Sequence, residues 1–187
     1  MNRPRLNFHL RALLMLMLVL PMLSAAPVST TGIEGEIKWK KDSRLTWENF
    51  VAKPDRMSNM DALTESGITF SWNCDYRGFT VEAYAIFVPH GSWVKEPTHS
   101  LLLHEQGHFD ITEIHARKLR KFFAEHPNPC RLGKSGIDNA AKAIIAANYQ
   151  MQNEYDEGTN HGESNRMQRE WLARIDNELK ALDAWAE

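Results

Sequence analysis

Leu101-Leu102-Leu103-His104-Glu105-Gln106-Gly107-His108-Phe109-Asp110 is the stretch on which the reading of this chain turns. Pro97 precedes it, helical periodicity runs from Leu101 to Phe123, and Pro127 stops the run. His104 and His108 therefore lie one turn apart on one helix face. Two imidazoles so placed can hold one Zn²⁺ at about 2.0–2.1 Å. Glu105 is offset by about 100° around the helix, so it flanks the pair without ligating. A zinc-bound water with a carboxylate beside it is a hydrolytic arrangement: the metal acidifies the water and polarises a carbonyl, and Glu105 takes the proton as general base. Gly107 is a costly helix residue, about 1 kcal/mol worse than Ala, and close packing beside the metal accounts for it. The plain alternative is a pair of surface or hydrogen-bonded core histidines.

Outward from this stretch the chain divides into two kinds of pattern. Towards the C-terminus it is helical. A second helix is expected from about Ile137 to Glu157, with the stripe Ala140, Ile144, Ala147, Met151 and Tyr155 and a terminator at Gly158. A third runs from about Ser164 to Trp185, with the stripe Met167, Trp171, Ile175, Leu179 and Leu182. Towards the N-terminus it reads as strands and turns. Ile33 to Trp39 alternates loosely, and Leu45 to Phe50 suggests one helical turn docked on a sheet. Lys53 to Asn59 is a loop; Ile68 to Trp72 and Phe79 to Val88 are strands joined by a hairpin at Asp75 to Gly78; Pro89 to Gly91 ends the second. Strands followed by helices, in 187 residues without internal repeat, indicate an α+β domain.

The first 26 residues read as a signal peptide and residues 27–187 as one domain. Arg3, Arg5 and Arg11 precede the apolar run Ala12 to Leu23, and Ser24, Ala25 and Ala26 supply small residues for cleavage. The run is shorter than the roughly 20 residues a membrane span needs, so no stable membrane anchor is expected once the leader is removed. Without the leader 19 basic residues face 24 acidic ones, a net charge of −5. That balance, with no Lys/Arg cluster, makes nucleic acid an unsuitable partner. Cys74 and Cys130 are expected to form a disulfide in an exported protein, two buried thiols being the alternative.

His115 falls about 10 Å further along the helix than His108 and cannot share its metal. Asp110 and Glu113 are candidates to orient a ligand histidine. The chain resembles the bacterial domain-of-unknown-function family numbered 922, described as predicted secreted zinc-dependent proteases. The resemblance rests on Leu45-Thr46-Trp47-Glu48-Asn49-Phe50, Thr64 to Ile68, Ser92-Trp93-Val94, Leu102 to Ile111 and Tyr155-Asp156-Glu157-Gly158-Thr159-Asn160-His161-Gly162. It implies a zincin-like fold, in which a sheet edge lies beside the active-site helix with a cleft between them. A catalytic zinc needs a third ligand from elsewhere. The donors in reach are a carboxylate of the second helix (Glu154, Asp156 or Glu157) or His161, in a loop whose flanking glycines free the backbone to turn an imidazole inward. The resemblance favours His161. Tyr155 is a candidate oxyanion donor or, equally, a core residue. The expectation is an exported, periplasmic or secreted, metallopeptidase with one Zn²⁺ per chain, held by His104, His108 and His161, acting on a peptide or protein. Phe79 to Val88 or Ser92 to Val94 is the candidate edge strand for that peptide. A zinc-stabilised binding or scaffold module is the alternative from another class, and an amidase acting on cell-wall peptides shares the hydrolytic core.

Overall fold

In the computed structural model, which describes residues 35–187, the long hairpin of the N-terminal half is β3 (Ser66–Asp75) and β4 (Gly78–Phe87), antiparallel from Ser66 opposite Phe87 to Asp75 opposite Gly78. The turn between them is held by Asp75 Oδ1, which accepts from the Arg77 amide at 2.7 Å. β1 (Ile37–Lys38) pairs with the other side of β4, so the sheet order is β1-β4-β3. β4 is thus the central strand, which corrects the expectation that Phe79 to Val88 offers a free edge. A second, two-stranded sheet pairs β2 (Ala62–Leu63) with β5 (Trp93–Val94). The single turn at Trp47–Asn49 is the helical turn expected there. The signal peptide expected at residues 1–26 lies outside the described residues.

Three helices follow: α1 (His99–Glu125), α2 (Gly133–Thr159) and α3 (Asn165–Ala181). The layout is the α+β one expected, an antiparallel sheet against the helix that bears the motif, with two further helices behind it. α1 opens at an N-cap, Thr98, whose hydroxyl accepts from the Leu101 amide at 3.2 Å. α2 continues one turn's fraction past the expected stop. Gly158 packs against the Trp171 indole, and the helix ends instead in a left-handed Asn160 (φ +52°).

α1 is the core of the molecule. Its sheet side meets Leu45, Phe50, Ala85 and Phe87 through Phe109 and Ala116. Its other side meets Met151, Tyr155, Trp171, Ile175 and Leu179 through Ile111 and Ile114. Buried between these two faces, Asp110, Glu113 and Arg117 are each paired. Glu113 Oε1 accepts from Arg117 Nε at 2.9 Å and Arg120 Nη2 at 2.8 Å, and Arg117 Nη1 reaches the Leu179 carbonyl at 2.7 Å. Asp110 accepts from the Trp39 indole and the Arg44 guanidinium, both at 2.7 Å, and from Gln106 at 2.8 Å. These bonds tie the N-terminal segment and α3 to α1. They also occupy Asp110 and Glu113, which bond to neither His104 nor His108. Cys74 and Cys130 form a disulfide with Cα atoms 5.9 Å apart, joining the hairpin tip to the turn before α2.

Candidate metal centre

His104 and His108 emerge from one turn of α1 with their rings near perpendicular, at 86°, and their Nε2 atoms 3.1 Å apart. Asp156, from the last turns of α2, places Oδ1 3.1 Å from each of those nitrogens. Three donor atoms thus form a triangle with equal edges. Donors about 2.0–2.1 Å from a tetrahedral zinc are about 3.3 Å apart, so the donor set fits one small divalent ion. The two remaining ring nitrogens bond outward: His104 Nδ1 to Gln168 Oε1 at 3.1 Å and His108 Nδ1 to Gln152 Oε1 at 2.6 Å.

Local packing accounts for this convergence. Tyr155 is fully buried behind the rings and stacks on His104, with centroids 4.7 Å apart. A Cβ on Gly107 would overlap the Tyr155 hydroxyl, so only glycine lets α1 and α2 approach this closely. The loop Asn160 to Gly162 is left-handed at three consecutive residues, with φ of +52°, +51° and +82°. Strain of this kind at two non-glycine residues persists only where the surroundings impose it. It brings the Gly162 backbone against the His104 ring, where a Cβ would stand 2.9 Å from Cγ.

Electrostatics follow the geometry. Burial alone would raise the Asp156 carboxyl; its hydrogen bonds to His104 and His108 and their charge outweigh this and hold it well below the usual carboxylate range. Burial alone would lower His108; the bond to Asp156 and the charge of Glu105 outweigh that and raise it. Burial pushes the Tyr155 hydroxyl up. Glu105 is 3% exposed, and its Oε2 is the buried side-chain atom without a partner among the described residues. It lines a cleft of about 330 Å³ together with His104, His108 and Asp156. The opposite wall is the segment Asn59 to Thr64, which contains β2, and the Thr64 hydroxyl bonds the Glu105 carbonyl at 3.4 Å. Asp61 and Glu163 stand on the cleft rim and Tyr149 is 63% exposed beside it. Among the described residues no Lys or Arg lines this cleft.

The structure therefore brings His104, Glu105 and His108 together with Asp156. His161 sits at the cleft mouth, its side chain 64% exposed and its Nδ1 3.7 Å from Asp156 Oδ1. Tyr155 does not reach the cleft; its hydroxyl donates to the His104 carbonyl at 3.3 Å and accepts from Gln168. His115 is buried and bonds the Ile111 carbonyl. Sequence reasoning did not single out Gln152 or Gln168. For Gln152 a signal existed: Asn148, Gln152 and Asp156 recur every four residues as a polar stripe within α2, beside the apolar one.

Residues 92–162 match the family model described as bacterial protein of unknown function (DUF922). The match makes this segment similar to the DUF922 family. The matched segment runs from the start of β5 through α1 and α2 to Gly162, the residue that packs on His104. It carries His104, Glu105, His108, Gln152, Asp156 and His161; β2 and Gln168 lie outside it. No curated protein and no solved structure matches the chain.

Proposed function

We propose that this chain is an exported zinc-dependent hydrolase, a metallopeptidase whose ion is held by His104, His108 and Asp156. The observation that carries the reading is the triangle of donor atoms with three 3.1 Å edges. Zinc, when bound, supplies the Lewis acidity that activates a peptide carbonyl and makes water more acidic. The chain's residues supply the rest. Glu105 has a buried, unpartnered oxygen at the same cleft. It takes the proton of the attacking water and passes it to the leaving amine. His161, beside Asp156 at the mouth, donates to the carbonyl oxygen as negative charge develops on it. β2 pairs with β5 along one edge and its segment walls the cleft, which supports a role for its other edge in hydrogen-bonding an extended peptide. The disulfide supports passage to an oxidising compartment, and no described helix is long and apolar enough to cross a membrane.

Metal analysis and a peptide-library cleavage assay on the exported protein test this. Wild type is expected to carry one zinc and cleave. Glu105→Gln is expected to keep zinc and lose turnover by several orders of magnitude. Wild-type turnover in that variant removes Glu105 from its role, and a wild type that binds no zinc overturns the reading.

A further inference from the structure

Gln152 and Gln168 come from two different helices, α2 and α3, yet each presents its side-chain oxygen to the outward nitrogen of one histidine. Their orientation follows from what lies on the amide's other side. Gln152 Nε2 is 2.9 Å from the His108 carbonyl, which can only accept, and 3.1 Å from Thr112 Oγ1. The –NH₂ must point there, which leaves Oε1 facing His108 Nδ1. Gln168 Nε2 faces the Tyr155 hydroxyl. The His104 carbonyl, 3.3 Å from that hydroxyl, can only accept, so we assign the hydroxyl proton to it and the hydroxyl oxygen as acceptor from Gln168. Oε1 of Gln168 therefore faces His104 Nδ1. An amide oxygen cannot donate, so each Nδ1 carries the hydrogen, and each Nε2 is left with its lone pair directed at Asp156 Oδ1.

We propose that Gln152 and Gln168 are positioning residues that fix both histidines as the Nδ1–H tautomer, committing their Nε2 atoms to a metal. The inference rests on the zinc reading above. It makes the site conditional on tertiary packing, because His108 is set by α2 and His104 by α3. It also keeps these partners neutral. A carboxylate in either place would add charge to a centre that already holds Glu105 and Asp156. Loss of such an outer partner lowers metal affinity by roughly 10–100-fold in known sites.

The experiment compares Gln152→Met and Gln168→Met, which keep length but remove the acceptor, with Gln152→Glu and Gln168→Glu, which keep it. Zinc affinity is read by competition with a chromogenic chelator, folding by the melting midpoint of the metal-free protein, and the rings by ¹H–¹⁵N spectra of the zinc-loaded protein. Each Met variant is expected to lose about 10–100-fold in zinc affinity, while each Glu variant, which keeps the acceptor but loses the –NH₂ that faces the His108 carbonyl or the Tyr155 hydroxyl, should lose less. Wild type should show a slowly exchanging Nδ1–H on both rings, and each Met variant should lose protection on its own ring. Met variants that bind zinc like wild type, or Glu variants that lose as much as Met, overturn the proposal. Coordination through Nδ1 overturns it as well. A wild type without zinc affinity condemns the metal reading itself, which separates the two failures.

Discussion

Asp156 Oδ1 lies 3.1 Å from His108 Nε2, although the two residues are 48 positions apart and belong to different helices. The same oxygen is 3.1 Å from His104 Nε2 and 3.7 Å from His161 Nδ1. Of the donors near the histidine pair, Asp156 is the one already at ligand spacing. Asp156→Ala is expected to lower zinc affinity by more than the roughly 100-fold that loss of an outer partner costs. His161→Ala is expected to lower it by less than about tenfold while reducing turnover more severely. Zinc competition and kcat measured on both variants decide this; the reverse order of affinities makes His161 the third ligand.

Gly107 stands where α1 and α2 touch, with the Tyr155 hydroxyl in the space a side chain would need. Gly107→Ala would gain about 1 kcal/mol in helix propensity. Overpacking a closed site costs about 1–3 kcal/mol, and Tyr155 cannot retreat without leaving the His104 ring. A net loss of stability, read as a lowered melting midpoint, should come with weaker zinc binding. A raised midpoint with unchanged zinc affinity is the contrary result.

The Cys74–Cys130 disulfide closes a separation of 56 residues. By the loop-entropy relation its removal costs about 4 kcal/mol. A Cys74→Ser, Cys130→Ser double variant should lose a comparable amount in urea unfolding. A change below about 1 kcal/mol would show that the unfolded chain is already constrained.

His115 is buried with Nδ1 donating to the Ile111 carbonyl at 3.0 Å; burial, with Lys118 nearby, depresses its pKa below 6.5. The folded protein therefore resists a proton that the unfolded chain accepts. Its contribution is intact above the unfolded pKa and declines as pH falls through about 6.5 towards the folded value, then levels off. His115→Gln should flatten the stability profile below about pH 6.5 relative to wild type. Parallel profiles for the two proteins would assign the pH dependence elsewhere.

Asp61 and Glu163 face the cleft, and among the described residues neither forms an ion pair. On the proposed peptidase reading, a basic substrate side chain entering the cleft would face these carboxylates, with Tyr149 exposed in the same lining. Asp61→Asn and Glu163→Gln should each reduce the preference in kcat/KM for Lys- or Arg-containing peptides by about two- to fivefold, less at high salt. An unchanged preference ratio would place the selectivity in other walls of the cleft.

What the sequence determined by itself was local. The pairing of His104 with His108, and the offset of Glu105, follow from helix geometry within five residues. The hairpin at Asp75 to Gly78 and the apolar stripe of α3 follow from periods of two and 3.6 for the same reason. Ala147, counted into the α2 stripe, is instead exposed while Asn148 is buried, because α2 turns its polar stripe to the cleft. Which acid joins the histidines, which amides orient them and which strand walls the cleft were decided only in the tertiary structure. Asp156, Gln152 and Gln168 reach the histidine pair across 44 to 64 residues of chain, and Thr64, next to β2, reaches the Glu105 carbonyl across 41. Their placement depends on how closely α1, α2 and α3 pack, which the missing side chain of Gly107 and the left-handed turn at Asn160 to Gly162 make possible. Contacts of that kind arise from shape and backbone approach, and neither has a period that can be read along the chain.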